Sequence, residues 1–115
     1  MIIHMILKEE DADLIYWRNF LPPKQFGYYI NSILQAEHIG AIALLPVPEE
    51  WGEGYAPVDL RFSVKLPGAK KLVNNLPTRK RSTTIKEIIR KHFRENIARV
   101  EQIEKDMEEY EGRCE

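Results

Sequence analysis

RFSVKLPGAKKLVNNLPTRKRSTTIKEIIRKHF (Arg61–Phe93) decides the fold. Its opening alternates. Phe62, Val64 and Leu66 fall on one side of an extended chain and Arg61, Ser63 and Lys65 on the other, the period-two pattern of a half-buried strand over LRFSVKLP. Pro67-Gly68 stops that strand, and GAKKLVNNLP gives a short helix closed at Pro77. A longer helix is expected from Ser82, a good N-cap residue, with Thr84 and Glu87 at capping-box spacing. No breaker follows before Gly112. Ile85, Ile88, Ile89, Phe93, Ile97, Val100, Ile103, Met107 and Tyr110 recur at three-or-four spacing and form one apolar stripe. The unit is strand, helix, helix.

The N-terminal half has the same order. MIIHMILK alternates Ile3, Met5 and Leu7 against Ile2, His4, Ile6 and Lys8. DADLIYWRNFLPP reads as a helix ended by Pro22-Pro23, and KQFGYYINSILQAEHIG as a second helix with Ile30, Ile33 and Leu34 on one stripe. An offset of 55 carries Leu21-Pro22 to Leu76-Pro77, Ile30 to Ile85, Ile33 to Ile88 and Leu34 to Ile89; an offset of 59 carries Ile3, Met5 and Leu7 to Phe62, Val64 and Leu66. The difference of four residues is about one helical turn, so the apolar face is kept. A lone strand cannot be stable, so each unit needs a second copy. That copy comes from the same chain, the expected arrangement, or from another molecule. The chain divides into a degenerate first repeat (1–36), a Pro- and Gly-containing crossover (37–59), a basic second repeat (60–95) and an acidic helical extension (96–115). In the crossover, Trp51 and Tyr55 read as packing anchors. The extension resembles a short coiled coil or a helix that packs on a partner, and folding back onto its own domain is the alternative.

The formal net charge of −1 over 115 residues conceals a strong partition. Residues 1–59 carry 3 basic and 9 acidic side chains, residues 60–95 carry 11 and 2, and residues 96–115 carry 3 and 7. A +9 block within a near-neutral chain is a focused field suited to a polyanion. Other classes find no support. His4, His38 and His92 are scattered, Cys114 stands alone in a charged tail, and neither a glycine-rich phosphate loop nor paired metal-ligand spacing occurs. No enzyme, cofactor or metal is therefore expected. No apolar run approaches the roughly 20 residues of a membrane span. The N-terminus lacks the basic region and cleavage signal of a secretory peptide. A single cysteine suits a reducing, cytoplasmic location.

RFSVKLPG followed by LVNNLPTRKRSTTIKEIIRKHF resembles the ribbon-helix-helix superfamily of DNA-binding proteins, of the MetJ and Arc type. The likeness covers about Leu60–Glu95 and, more loosely, Ile2–Gln35. DADLIYWRNFLPP is similar to plasmid-partition adaptors of the ParR type, which belong to the same superfamily. The resemblance implies a mainly α fold with a short antiparallel two-stranded ribbon, two β-α-α repeats and a long C-terminal helix. It also implies that the ribbon enters the major groove of double-stranded DNA.

A ribbon fits that groove, where all four base pairs are distinguishable. Arg61, Ser63 and Lys65 are the expected base readers. Arg79, Lys80, Arg81, Ser82, Thr83 and Lys86, at a helix start with free N–H groups, are the expected phosphate contacts. His4, Lys8 and Lys24 are minor candidates, because the first repeat has lost most of its charge. The expected role is a transcriptional repressor or a partition adaptor. The alternative is a protein-interaction module, an antitoxin or a filament adaptor, whose acidic C-terminal helix binds a partner. Self-association is also expected.

Overall fold

The computed structural model describes residues 1–52 and 56–113. The readings of Tyr55 and Cys114 lie outside the described residues. Strands β1 (Ile2–Leu7) and β2 (Val58–Ser63) pair antiparallel within the one chain. Ile3 stands opposite Phe62, Met5 opposite Leu60 and His4 opposite Arg61. A further bond, from the Val64 N–H to the Met1 carbonyl at 2.8 Å, extends the ladder. The alternation in the sequence becomes a two-faced ribbon: Ile3, Met5, Leu7, Leu60, Phe62 and Val64 are buried, while Ile2, His4, Ile6, Asp59, Arg61 and Ser63 point outward.

Among the described residues four helices complete the architecture. A 3-10 turn at Glu9–Asp11 leads into α1 (Ala12–Phe20), which ends where Leu21 turns extended before Pro22-Pro23. Then come α2 (Phe26–His38), α3 (Pro67–Asn75), a 3-10 turn at Thr78–Lys80 and α4 (Arg81–Arg113). Gly40, at φ 74°, takes the left-handed conformation that releases the chain from α2 into the crossover. The core lies between the inner face of the ribbon and the stripes Ile30, Ile33, Leu34 of α2 and Ile85, Ile88, Ile89, Phe93 of α4. Full burial of each such side chain contributes roughly 1.5–3 kcal/mol. Trp17 closes one flank, edge-on to Phe93 at 4.8 Å between ring centroids.

The crossover has no strand to pair with, and α4 supplies the missing partners. The Ala43 N–H donates to His92 Nδ1 (3.2 Å) and the Leu45 N–H to Asn96 Oδ1 (3.0 Å), while Asn96 Nδ2 donates to the Ala43 carbonyl (2.9 Å). Trp17 Nε1 donates to the Pro46 carbonyl at 2.9 Å. Buried backbone groups of an irregular segment are thereby satisfied by side chains. Trp51 packs as expected, with ring centroids 5.4 Å from Phe93 and 6.1 Å from Tyr16.

Three local expectations change. The second strand begins at Val58, two residues before Leu60, and is assigned only to Ser63. The Lys65 and Leu66 N–H groups instead meet Asn31 Oδ1, at 2.7 and 3.4 Å, which turns the chain into α3 and leaves Leu66 exposed rather than beneath the ribbon. Ser82 is not an N-cap. The Lys80 N–H bonds the Pro77 carbonyl and the Arg81 N–H the Thr78 carbonyl, so helical backbone starts at Thr78 and Ser82 already lies inside it. Of the two readings kept open for the distal part of α4, folding back is the one excluded: residues 101–111 are exposed throughout.

Candidate nucleic-acid interface

The two ends of the ribbon are locked in related ways. At the exit of β2, Asn31 Nδ2 donates to the Ser63 carbonyl (2.8 Å), and one turn further along α2 Gln35 Oε1 accepts the Ala69 N–H at the start of α3 (3.2 Å). At the exit of β1, Lys86 Nζ donates to the Ile6 carbonyl (2.9 Å) and to Asp11 Oδ2 (2.7 Å). One turn further along α4, Arg90 reaches Asp11 and Asp13 at the start of α1 (2.9–3.0 Å). The offset of 55 equates Asn31 with Lys86 and Gln35 with Arg90. One end is held by neutral amides and the other by ions, at equivalent positions.

These locks hold α2 and α4 against the two ends of the ribbon. Lys86 ties α4 to Ile6, and the start of its 3-10 turn lies about 13 Å back along the axis. The N–H groups without an intrahelical acceptor there belong to Thr78 and Arg79, not to Ser82 and Thr83. Arg79, Lys80 and Thr83 are exposed, while Arg81 and Ser82 are half-buried. The Nε of Arg81 is buried and has no hydrogen-bond partner among the described residues.

Lys86 has a different role from the one expected. Its side chain is only 15% exposed and its ammonium is bound between Ile6 and the buried Asp11. Burial opposes ionisation of Asp11, but hydrogen bonds from Lys86, the Lys8 N–H and Arg90 outweigh it and hold the carboxyl below its usual range. Hydrogen bonds to Asp13, against the burial of the guanidinium, and then to Asp11 raise Arg90 further above its already high range. Both cations are part of the fold's interior polar network. Exposed positive charge near the ribbon comes from elsewhere.

The other helix start supplies some. A concavity of about 740 Å³ opens between the end of β2, the α1–α2 turn and the start of α2. Arg18, Lys24, Arg61 and Lys65 line it, together with Ser63 and the first residues of α2, and its lining contains no carboxylate. Lys24 adopts φ 70°, and Gln25 offers no side-chain cap, so the first N–H groups of α2 remain available. Arg18 is the member that sequence reasoning missed. Its signal was a basic residue in the last turn before the Pro-Pro stop.

The expected readers Arg61 and Ser63 do point outward from β2, and Lys65 is exposed just past its end. Across from them are Ile2 (70% exposed), His4 and Ile6 (46% exposed). Asp59, opposite Ile6, also faces outward and hydrogen-bonds His4. Lys8 is exposed where β1 ends, and its backbone N–H donates to Asp11 at 3.0 Å. Among the described residues no cluster of His, Cys, Asp or Glu could hold a metal ion, and no helix is long and apolar enough to cross a membrane. Comparison with protein-family models, with characterised proteins and with solved structures finds no match for this chain.

Proposed function

We propose that the chain binds double-stranded DNA by laying the outward face of its ribbon in the major groove, as a ribbon-helix-helix protein whose two repeats lie in one chain. One observation carries the reading: β1 and β2 pair within the chain so that Ile3 faces Phe62, the two residues that the internal alignment equates. That is the register a local two-fold axis through the ribbon requires, and it sets a helix start with exposed cations at each end. The single chain then supplies both halves of the reading unit.

The two halves read differently. Arg61 and Lys65 are donors suited to guanine O6 and N7, and Ser63 bonds either way. Their counterparts Ile2 and Ile6 offer methyl groups to the thymine C5-methyl. The site is accordingly non-palindromic, with one half rich in G·C and the other in A·T. Arg79, Lys80 and Arg81 on one flank, and Arg18 and Lys24 on the other, contact phosphates and fix the register. Such a protein serves as a transcriptional repressor or as a DNA-bound adaptor in plasmid partition.

Selection of bound duplexes from a random pool at low salt tests the reading. One chain should occupy one asymmetric site. Arg61→Ala or Lys65→Ala should relax base preference in the G·C half, whereas Arg79→Ala should weaken all sequences alike. Failure of any duplex to bind, or equal and uniform losses from all three substitutions, would count against it.

A further inference from the structure

Beyond Ala98 every described residue of α4 through Glu111 is exposed, including a seam of Val100, Ile103, Met107 and Tyr110 that is 51–69% accessible. The spacing of three, four, three is that of alternating a and d positions in a coiled coil. Six carboxylates surround the seam between Arg99 and Glu111, against only Arg99 and Lys105. At its root the seam runs into a second concavity of about 580 Å³. Val47, Pro48 and Trp51 form its apolar floor, and Glu49, Glu101 and Glu104 stand at its rim. Val100 belongs to both features and Ile97 continues its stripe into the concavity, so an acidic-rimmed apolar track runs for about 20 Å along the helix.

Charge decides what covers this track. In a parallel pairing of two copies, Asp106 would face Glu111 of the second copy, cancelling the gain from Arg99 facing Glu104. The seam offers only two heptads, short of the length at which like-charged helices associate. From this we infer that the distal half of α4 and the Trp51 notch are a docking surface for an amphipathic helix of another protein, apolar along one stripe and flanked by Lys and Arg. Its apolar stripe lies on Val100, Ile103 and Met107. Its leading cation enters the notch over the Trp51 ring between Glu101 and Glu104. This surface is remote in sequence and opposite in charge to the DNA-facing elements, so both can be occupied together.

The test uses the full chain and synthetic 18-residue helical peptides with Leu at a and d positions, read by fluorescence anisotropy. The probe has Lys and Arg flanks; one control has Glu flanks and another has the probe's composition scrambled. The expected result is saturable binding of the probe, at least tenfold weaker binding of both controls, and a tenfold loss in Ile103→Lys/Met107→Lys. Those two side chains are exposed, so that variant should keep the wild-type melting temperature. Equal binding of probe and scrambled peptide, unaltered binding by the seam variant, or no binding at all would overturn the inference. So would sedimentation showing a self-dimer that Ile103→Lys dissolves, because the track would then belong to a second copy.

Discussion

Lys86→Met separates a structural cation from one that the proposed function assigns to DNA within the same basic run. Methionine keeps the length of the stem and removes the charge. It deletes one charge-assisted bond to Asp11 at 2.7 Å and one bond to the Ile6 carbonyl at 2.9 Å. Asp11 is 2% exposed but keeps Arg90 and the Lys8 N–H, so it is not left as a bare buried charge. Both bonds are charge-assisted; the one to buried Asp11 contributes about 1.5–3 kcal/mol and the more exposed one to Ile6 less, partly offset by the apolar gain of methionine, for a net loss of about 2–3 kcal/mol. For a domain of this size that lowers Tm by about 8–12 °C. Affinity for duplex DNA, measured well below the new Tm, should stay within about twofold, and its salt dependence should not change. Lys80→Met should do the reverse: Tm moves by less than about 2 °C and the salt slope falls by about 0.9. An unchanged Tm in Lys86→Met, with a slope reduced by about one, would refute the assignment of Lys86 to the interior and return it to the phosphate contacts.

Other outcomes follow from the same geometry. Asp59→Asn removes the one carboxylate on the outward ribbon face and should raise DNA affinity severalfold in a titration at fixed salt; an unchanged or weaker affinity would place Asp59 away from the phosphates. Asn96→Ala strands the Leu45 N–H and the Ala43 carbonyl and should cost about 2–4 kcal/mol in urea unfolding, with faster hydrogen exchange at Leu45. Asp11 and Glu37 both titrate below their usual values: burial opposes this in each case, and for Glu37 hydrogen bonds from Lys91 and His92 prevail. Because their folded pKa values are depressed, their contribution is fully present above the unfolded values and disappears as pH falls. Stability should therefore be flat from about pH 6 to 7 and fall between about pH 5 and 2, with a shallower fall in Asp11→Asn; a rise in stability on acidification would contradict this.

Local pattern made the elements legible. Phe62 and Val64 against Arg61 and Ser63 marked a strand face, Pro67-Gly68 marked where it gives way to a helix, Pro22-Pro23 marked the break between the first two helices, and the isoleucine stripes marked the core. The pairing of β1 with β2 was legible through the offset between Ile3 and Phe62. Long-range polar chemistry was not. Lys86 and Arg90 look like members of a solvated basic run, and nothing local reveals that Asp11 and Asp13 lie beside them in space. Asn31, Gln35, His92 and Asn96 sit among apolar positions, and their roles depend on backbone groups some 30 to 50 residues away. Asp59 obeys the same alternation as Arg61, but a strand expected to begin at Leu60 hid it. Thr78 and Arg79 displaced Ser82 at the helix start because Pro77 seeds a 3-10 turn that runs directly into α4.

The central claim is most directly tested by the affinity of the full chain for a selected duplex across a series of salt concentrations. Five cations are the proposed phosphate contacts: Arg18, Lys24, Arg79 and Lys80, which are exposed, and the half-buried Arg81. One-to-one binding is predicted, with log affinity falling against log salt at a slope of about −4.5, reduced to about −2.7 in Arg79→Ala/Lys80→Ala. Absence of binding at low salt, or a slope that those two substitutions leave unchanged, would contradict it.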